Sequence, residues 1–289
     1  MSCHSAAVRA RLAEAETPRP GPGSVSWRIN REIIVVAGWG RAILLQLAHP
    51  AVAAGVHDHS SFRGSLRASV RRMRSTVRAM LSITFGDAER MVAAAAGINA
   101  IHDRVRGCGY SAHDPDLQCW VHATLLDSTL NSYERLVRPL TAQERDRYCA
   151  EAAIMEPLMG IPHGMLPRTS AELAAYVRDM LAGDRIAVTD TGRALATAVL
   201  SPPNWRLAWP AFRPLQLMTI GSLPPSIRRA YGFRWRPREE RALARWTAAI
   251  RTSRRLLPRA GREWPIARAT PARPADRGRY TTTATAKPS

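Results

Sequence analysis

Apolar residues recur along most of this chain every three or four positions, the spacing of a helix that buries one face. Between Phe62 and Thr84, the residues Leu66, Val70, Met73, Val77, Met80 and Leu81 form such a stripe, with arginines opposite it, and predict an amphipathic helix. Between Ala88 and Arg106, the residues Met91, Ala95, Ile98, His102 and Val105 do the same and place His102 on the core face. A short helix is expected to open at Asn30, and another to run from Arg41 with a restart at Pro50. Asp114-Pro115 is an N-cap followed by proline at the first helical position, for a helix through Leu136. Thr141 and Glu144 form a capping-box pattern for a helix over Thr141–Met159. Ser170 is expected to cap a helix to Leu181. Further helices are read over Asp190–Leu200, Arg206–Gly221 and Glu239–Leu257, with a turn opened by Leu223-Pro-Pro-Ser226. Strand-like alternation is almost absent, so the fold class is all-α, a single globular domain of packed helices.

The run Ile33–Val56 is long and apolar enough to suggest a membrane span. Arg41 sits well inside it, where lipid would penalise its charge, and Gly38, Gly40 and Pro50 interrupt it. It is read as two buried helices with a break near Gly38–Gly40, and no transmembrane segment is expected.

Composition sharpens this picture at the ends. The chain of 289 residues carries a net charge of +19, but Lys287 is its only lysine, a bias that points to a GC-rich genome more than to a phosphate-binding surface. Residues 228–289 hold 17 of the 42 basic side chains and only 4 of the 23 acidic ones, a basic tail. Residues 1–26 are rich in Pro and Gly and have no apolar signal region, so they read as a disordered lead-in before a helical domain over residues 27–257. Residues 258–289, without apolar period, read as a partly disordered tail. Cys3, Cys108, Cys119 and Cys149 show neither paired nor zinc-type spacing, and a reducing, cytoplasmic setting is expected.

Among candidate chemical groups His102 stands first, because a histidine on an apolar face is kept neutral, the form that binds iron, and one such ligand suffices for haem. A hydrogen-bonded core histidine is the competing reading. Arg72 and Thr76, one turn apart at the edge of their stripe, can present a guanidinium and a hydroxyl to a carboxylate edge, with Met80 continuing the row. His49 and His122 lie in apolar surroundings and suit hydrogen bonding around a bound group; His113 reads as a loop residue. His57 and His59 beside Asp58 offer a non-haem metal site as an alternative. Gly-rich phosphate loops, nucleophile elbows and HExxH helices are missing from the sequence.

Several ordered blocks resemble the MpaB and rubber oxygenase (latex-clearing protein) family of haem-dependent oxygenases. They are Leu44–Val56, His59-Ser60, Arg72–Gly86 (RMRSTVRAMLSITFG), Ile101–Gly107 (IHDRVRG), Tyr110–Leu117, Trp120–Ser128 (WVHATLLDS) and Glu144–Glu151, with Gly160–Pro162, Leu166–Thr169 and Leu223–Pro225 beyond them. The resemblance spans about residues 27–260. It implies a haem b cofactor in a pocket between the helices, its iron held by His102 as the metal ligand. Arg72 and Thr76 would lie beside the haem, and His49 and His122 near it. Catalytic roles then fall to Arg72, Thr76 and His49, and cofactor binding to His102, Arg72, Thr76 and His122. Latex-clearing proteins carry a lysine before the threonine, where this chain has Ser75. The implied activity is oxygenation of a small apolar or isoprenoid-like substrate, with dioxygen bound at the iron opposite the axial histidine and an electron donor not identified. Two alternatives remain open: a haem carrier or sensor without catalysis, and a nucleic-acid or membrane-surface binder acting through the basic tail, of which nucleic acid is the weaker.

Overall fold

The structure, a computed structural model, describes residues 2–15, 17–59, 66–201 and 209–269; the side chains of residues 66–70, 72, 73 and 209–211 lie outside the described set. Its organising element is helix α7 (Pro115–Leu136). Asp114 caps it as expected, its carboxylate accepting from the backbone N–H groups of Asp116 and Leu117, with Pro115 at the first helical position. Four core clusters share this helix. Cys119 faces one, Ala123, Leu126, Leu130 and Tyr133 a second, Trp120 a third and Leu136 a fourth. A helix apolar on nearly every side belongs in the middle of a bundle.

On one side of α7 lie a 3-10 segment, Ile33–Gly38, and helix Trp39–Leu47. The β-branched run Ile33–Val36 gives up side-chain freedom in an α-helix, and the chain takes a short 3-10 turn here. The contact is close because small residues meet. A Cβ on Gly38 would come within 2.6 Å of the Ser128 carbonyl oxygen, and one on Gly40 would collide with Thr219. Arg41 turns the apolar run into a keystone. It is 6% exposed; its Nη2 stands 2.6 Å from Asp127, its Nη1 donates to Ser128 Oγ at 2.8 Å, and its Nε donates to the Ser222 carbonyl at 2.8 Å. The chain then bends by 106° before helix Pro50–His59, and no single helix among the described residues is long and apolar enough to cross a membrane.

Numbered along the chain, α1 is Cys3–Ala15, α2 Val25–Asn30, α3 Trp39–Leu47, α4 Pro50–His59, α5 Leu66–Phe85 and α6 Ala88–His102. After α7 come α8 (Ala142–Ala152), α9 (Met155–Met159), α10 (Ser170–Ala182), α11 (Asp190–Leu200), α12 (Trp209–Gly221), α13 (Pro225–Ala230), α14 (Pro237–Leu256), α15 (Arg259–Arg262) and α16 (Pro265–Ala269). A two-stranded hairpin, Arg106–Gly107 paired with Tyr110–Ser111, is the sheet among the described residues.

Several expectations are corrected. The first 26 residues contain α1, whose Val8 and Leu12, one turn apart, are buried against α6 and α9. Asn30 ends a helix instead of opening one; Ser24 is the cap, accepting from Trp27 N at 3.1 Å. Helix α6 stops at His102, where the chain turns into the hairpin. The helix expected over Thr141–Met159 opens with its capping box but breaks at Ala153–Ile154, because Pro157 has no N–H to donate to the Ala153 carbonyl and its ring crowds that group. Thr169, not Ser170, caps α10. Residues 258–269 pack on the body, with Ala267 buried beside Trp27 and Phe85. The tail beyond residue 269, and the segment 60–65 expected at the start of α5, lie outside the described residues.

Arg41→Ala strands Asp127 against the core and is expected to lower the unfolding free energy by roughly 3 kcal/mol. The readout is the urea midpoint. A midpoint equal to the parent's would mean that the ion pair contributes nothing.

Candidate functional site

Helix α2, the 3-10 segment, the C-terminal half of α5, α7 and α8 enclose a cavity whose empty space, its open mouth included, is about 1130 Å³. Most of its wall is apolar: Val35 and Val36, Met80, Leu81, Ile83 and Phe85 from α5, and Leu125 and Leu126 from α7. Trp27, Trp39 and Trp264 complete it. Trp264 comes from the expected tail, held there by its N–H on the Arg31 carbonyl at 3.0 Å, next to a Glu32–Glu263 bridge. Polar atoms enter at Arg19, Ser26, Asn30, Thr129, Tyr148 and Glu151. None of these stood out in the sequence as a site residue, Asn30 having been read only as a helix cap. They come from separate elements, and no spacing along the chain announces that they meet.

His122 of α7 is the histidine on this wall. Burial, and after it the charge of neighbouring His102, pushes its pKa from 6.5 down to about 4, so the ring is neutral at ordinary pH. Among the described residues no hydrogen bond is made to its ring. His102 is the last residue of α6, not a mid-helix core position; it is partly buried, and its ring meets that of His113 edge-on at 5.8 Å. Burial, then the His113 charge, lowers its pKa against an opposing pull from Asp103. Its Nδ1 is buried with no hydrogen-bond partner. An unsatisfied buried imidazole nitrogen is costly for structure alone and suits an imidazole whose partner is not part of the chain. The neutral ring fits an iron ligand in chemical type.

The other candidates are less gathered. Thr76 lies on α5 with its side chain exposed, and the Arg72 side chain is outside the described residues. The same helix face continues through Met80 to Thr84, both on the cavity wall. His49 stands apart from the cavity and uses Nδ1 to accept from Ala51 N at 3.2 Å, capping α4. Burial first, then Arg185, lowers its pKa. His57 and His59 are exposed and committed: His57 Nδ1 lies 3.1 Å from Asp58, and His59 Nε2 lies 3.2 Å from the Arg106 carbonyl. Tyr110 donates to the other Asp58 oxygen at 2.6 Å. His113 and His4 clasp the two oxygens of Asp103 at 2.8 and 2.7 Å, joining α1 to the end of α6. Among the described residues no three His, Cys, Asp or Glu side chains converge as a metal site.

Comparison with known proteins places these features in a family. Residues 27–252 match the profile described as ER-bound oxygenase mpaB/B′/Rubber oxygenase, catalytic domain. Two similar relatives are uncharacterized protein Mb2261 of Mycobacterium bovis and uncharacterized protein Rv2237 of Mycobacterium tuberculosis. Each is 27% identical over 225 residues, covering 75% of this chain and 87% of the relative. No solved structure matches the chain.

Because the folded pKa of His122 lies below the ordinary value, the unfolded chain binds the extra proton between pH 6.5 and about 4. Stability contributed by keeping this ring neutral is therefore lost as pH falls through that window, at up to about 1.4 kcal/mol per unit. Urea melts of the haem-free protein at stepped pH should show the loss, and His122→Gln should flatten it. Equal slopes in both proteins would place the proton elsewhere.

Proposed function

We propose, on the premise that the chain belongs to the MpaB/rubber oxygenase catalytic-domain family, that it is a haem b-dependent oxygenase acting on a small apolar or isoprenoid-like alkene. The observation that carries the reading is the pairing of an unsatisfied, buried Nδ1 on the partly buried, neutral imidazole of His102 with an apolar cavity reached by its neighbour His122. His102 would hold the iron, and Arg72 and Thr76 would meet the cofactor's carboxylate edge. When bound, the haem supplies the dioxygen chemistry that the side chains cannot provide.

The chain's own part is binding, orientation and exclusion of water. The α5 and α7 side chains give an alkene a dry wall, which shields reactive species from side reactions. His122, neutral at ordinary pH, can accept or donate one hydrogen bond at that wall without adding charge. Addition of one dioxygen across a carbon–carbon double bond, with cleavage to two carbonyl groups, balances without external electrons, so a donor is needed only to set the iron's resting state. His49, capping α4 away from the cavity, is the weakest of the proposed catalytic residues.

A haem-free carrier of the apolar ligand, or a haem carrier without turnover, would share the cavity but not consume oxygen. Purified protein reconstituted with haem is expected to show a Soret band, and His102→Ala to lose or shift it. Oxygen uptake with small alkenes should accompany the band. A spectrum indifferent to His102→Ala would move the ligand to another histidine, and no band at all would end the haem reading.

A further inference from the structure

Besides His122, two polar groups on the cavity wall are left without partners by the described protein. Arg19 Nε and Ser26 Oγ are buried and make no hydrogen bond, and no carboxylate among the described residues lies within ion-pair distance of Arg19. Ser26 is 7% exposed. The other charged groups of the wall are already spoken for. Glu32 is paired with Arg254, and Glu151 accepts the backbone N–H groups of Val25 and Ser26 at 3.2 and 2.6 Å, at the start of α2. Arg19 is thus a cation of the wall without a counter-ion among the described residues. A guanidinium only donates and a hydroxyl can donate, so the group that satisfies both is an oxygen acceptor, best an anionic one. The rest of the wall asks for hydrocarbon.

We propose that the cavity binds a long-chain carboxylate, with its head on Arg19 and Ser26 and its apolar chain along the α5–α7 wall that carries His122. The fatty and the isoprenoid series share this chemistry, since both present the same head and an apolar chain that can hold a double bond. The proposal deepens the oxygenase reading by naming a substrate class, yet the binding step stands without the haem.

Trp27, Trp39 and Trp264 on the wall give a direct readout. The full chain, haem-free and haem-loaded, is titrated below micellar concentrations with oleate, oleyl alcohol and 1-octadecene while tryptophan emission is followed; farnesoic acid and farnesol form a second pair. Oleate is expected to bind at least tenfold more tightly than oleyl alcohol. Arg19→Gln should weaken oleate at least tenfold and leave oleyl alcohol unchanged, and Ser26→Ala should act in the same direction if Arg19→Gln fails to fold. Equal affinity for acid and alcohol, or oleate binding untouched by both substitutions, overturns the proposal. So does one-for-one displacement of oleate by haem with a Soret band that needs His122 and not His102, because the basic end would then serve the cofactor's own carboxylates. Selective oleate binding without oxygen uptake supports the carboxylate site and counts against the oxygenase. Oxygen uptake with 1-octadecene and no preference for the acid does the reverse.

Discussion

The fold depends on one buried cation. Arg41 lies in the most apolar stretch of the chain, and an unpaired guanidinium there would cost more than most single contacts return. Its charge is met by Asp127, and its remaining donors by Ser128 and the end of α12, so α3, α7 and the start of the C-terminal helices are bound at a single point. The geometry leaves no room for larger neighbours. Thr124, Ser128 and Ser132 recur every four residues on α7, and this narrow polar stripe receives Gln46, Arg41 and Gly38 in turn. Fixing the rotation of α7 in this way also fixes what its other faces present. His122, Leu125 and Leu126, which flank the stripe, are thereby turned to the cavity.

Local signals in the sequence were enough for elements that carry their own punctuation. The Asp114-Pro115 cap, the Thr141–Glu144 box and the start of α11 fall where side-chain chemistry places them. Misreadings cluster where tertiary contacts decide. Helix α1 has almost no amphipathic contrast; its two buried residues, Val8 and Leu12, matter only because α6 and α9 supply a surface for them. Residues 263–267 lack apolar period too, yet Trp264 and Ala267 close the gap over Trp27 and Phe85. The candidate site divides along the same line. His102 and His122 were visible as histidines in apolar helices, whereas Arg19 and Ser26 sit in a Pro- and Gly-rich segment with no local reason to be chosen.

Several of the many arginines have structural partners. Arg254, within the basic stretch 228–289, neutralises Glu32 beneath α14, and Arg31 lies 3.5 Å from Glu263. Arg168 does the same for Glu156, a carboxylate 1% exposed that also accepts the Leu166 N–H at 2.8 Å and so shapes the loop after α9. These arginines serve structural pairing, while the net charge of +19 is the part that carboxylates do not cancel.

These pairings follow one rule for the interior. Each deeply buried carboxylate or guanidinium described above is cancelled by a partner a few ångström away, because an uncancelled charge in a low-dielectric core is expensive. Histidines that find no partner are instead driven to their neutral form, as His102 and His122 are. Such neutrality is what packing alone selects. Among the polar atoms of the interior that the described protein leaves unmet are the Nδ1 of His102, the Oγ of Ser26 and the Nε of Arg19, the last two on the cavity wall. Two unmet groups, Arg19 Nε and Ser26 Oγ, share one apolar wall, and a molecule that is not part of the chain can satisfy both.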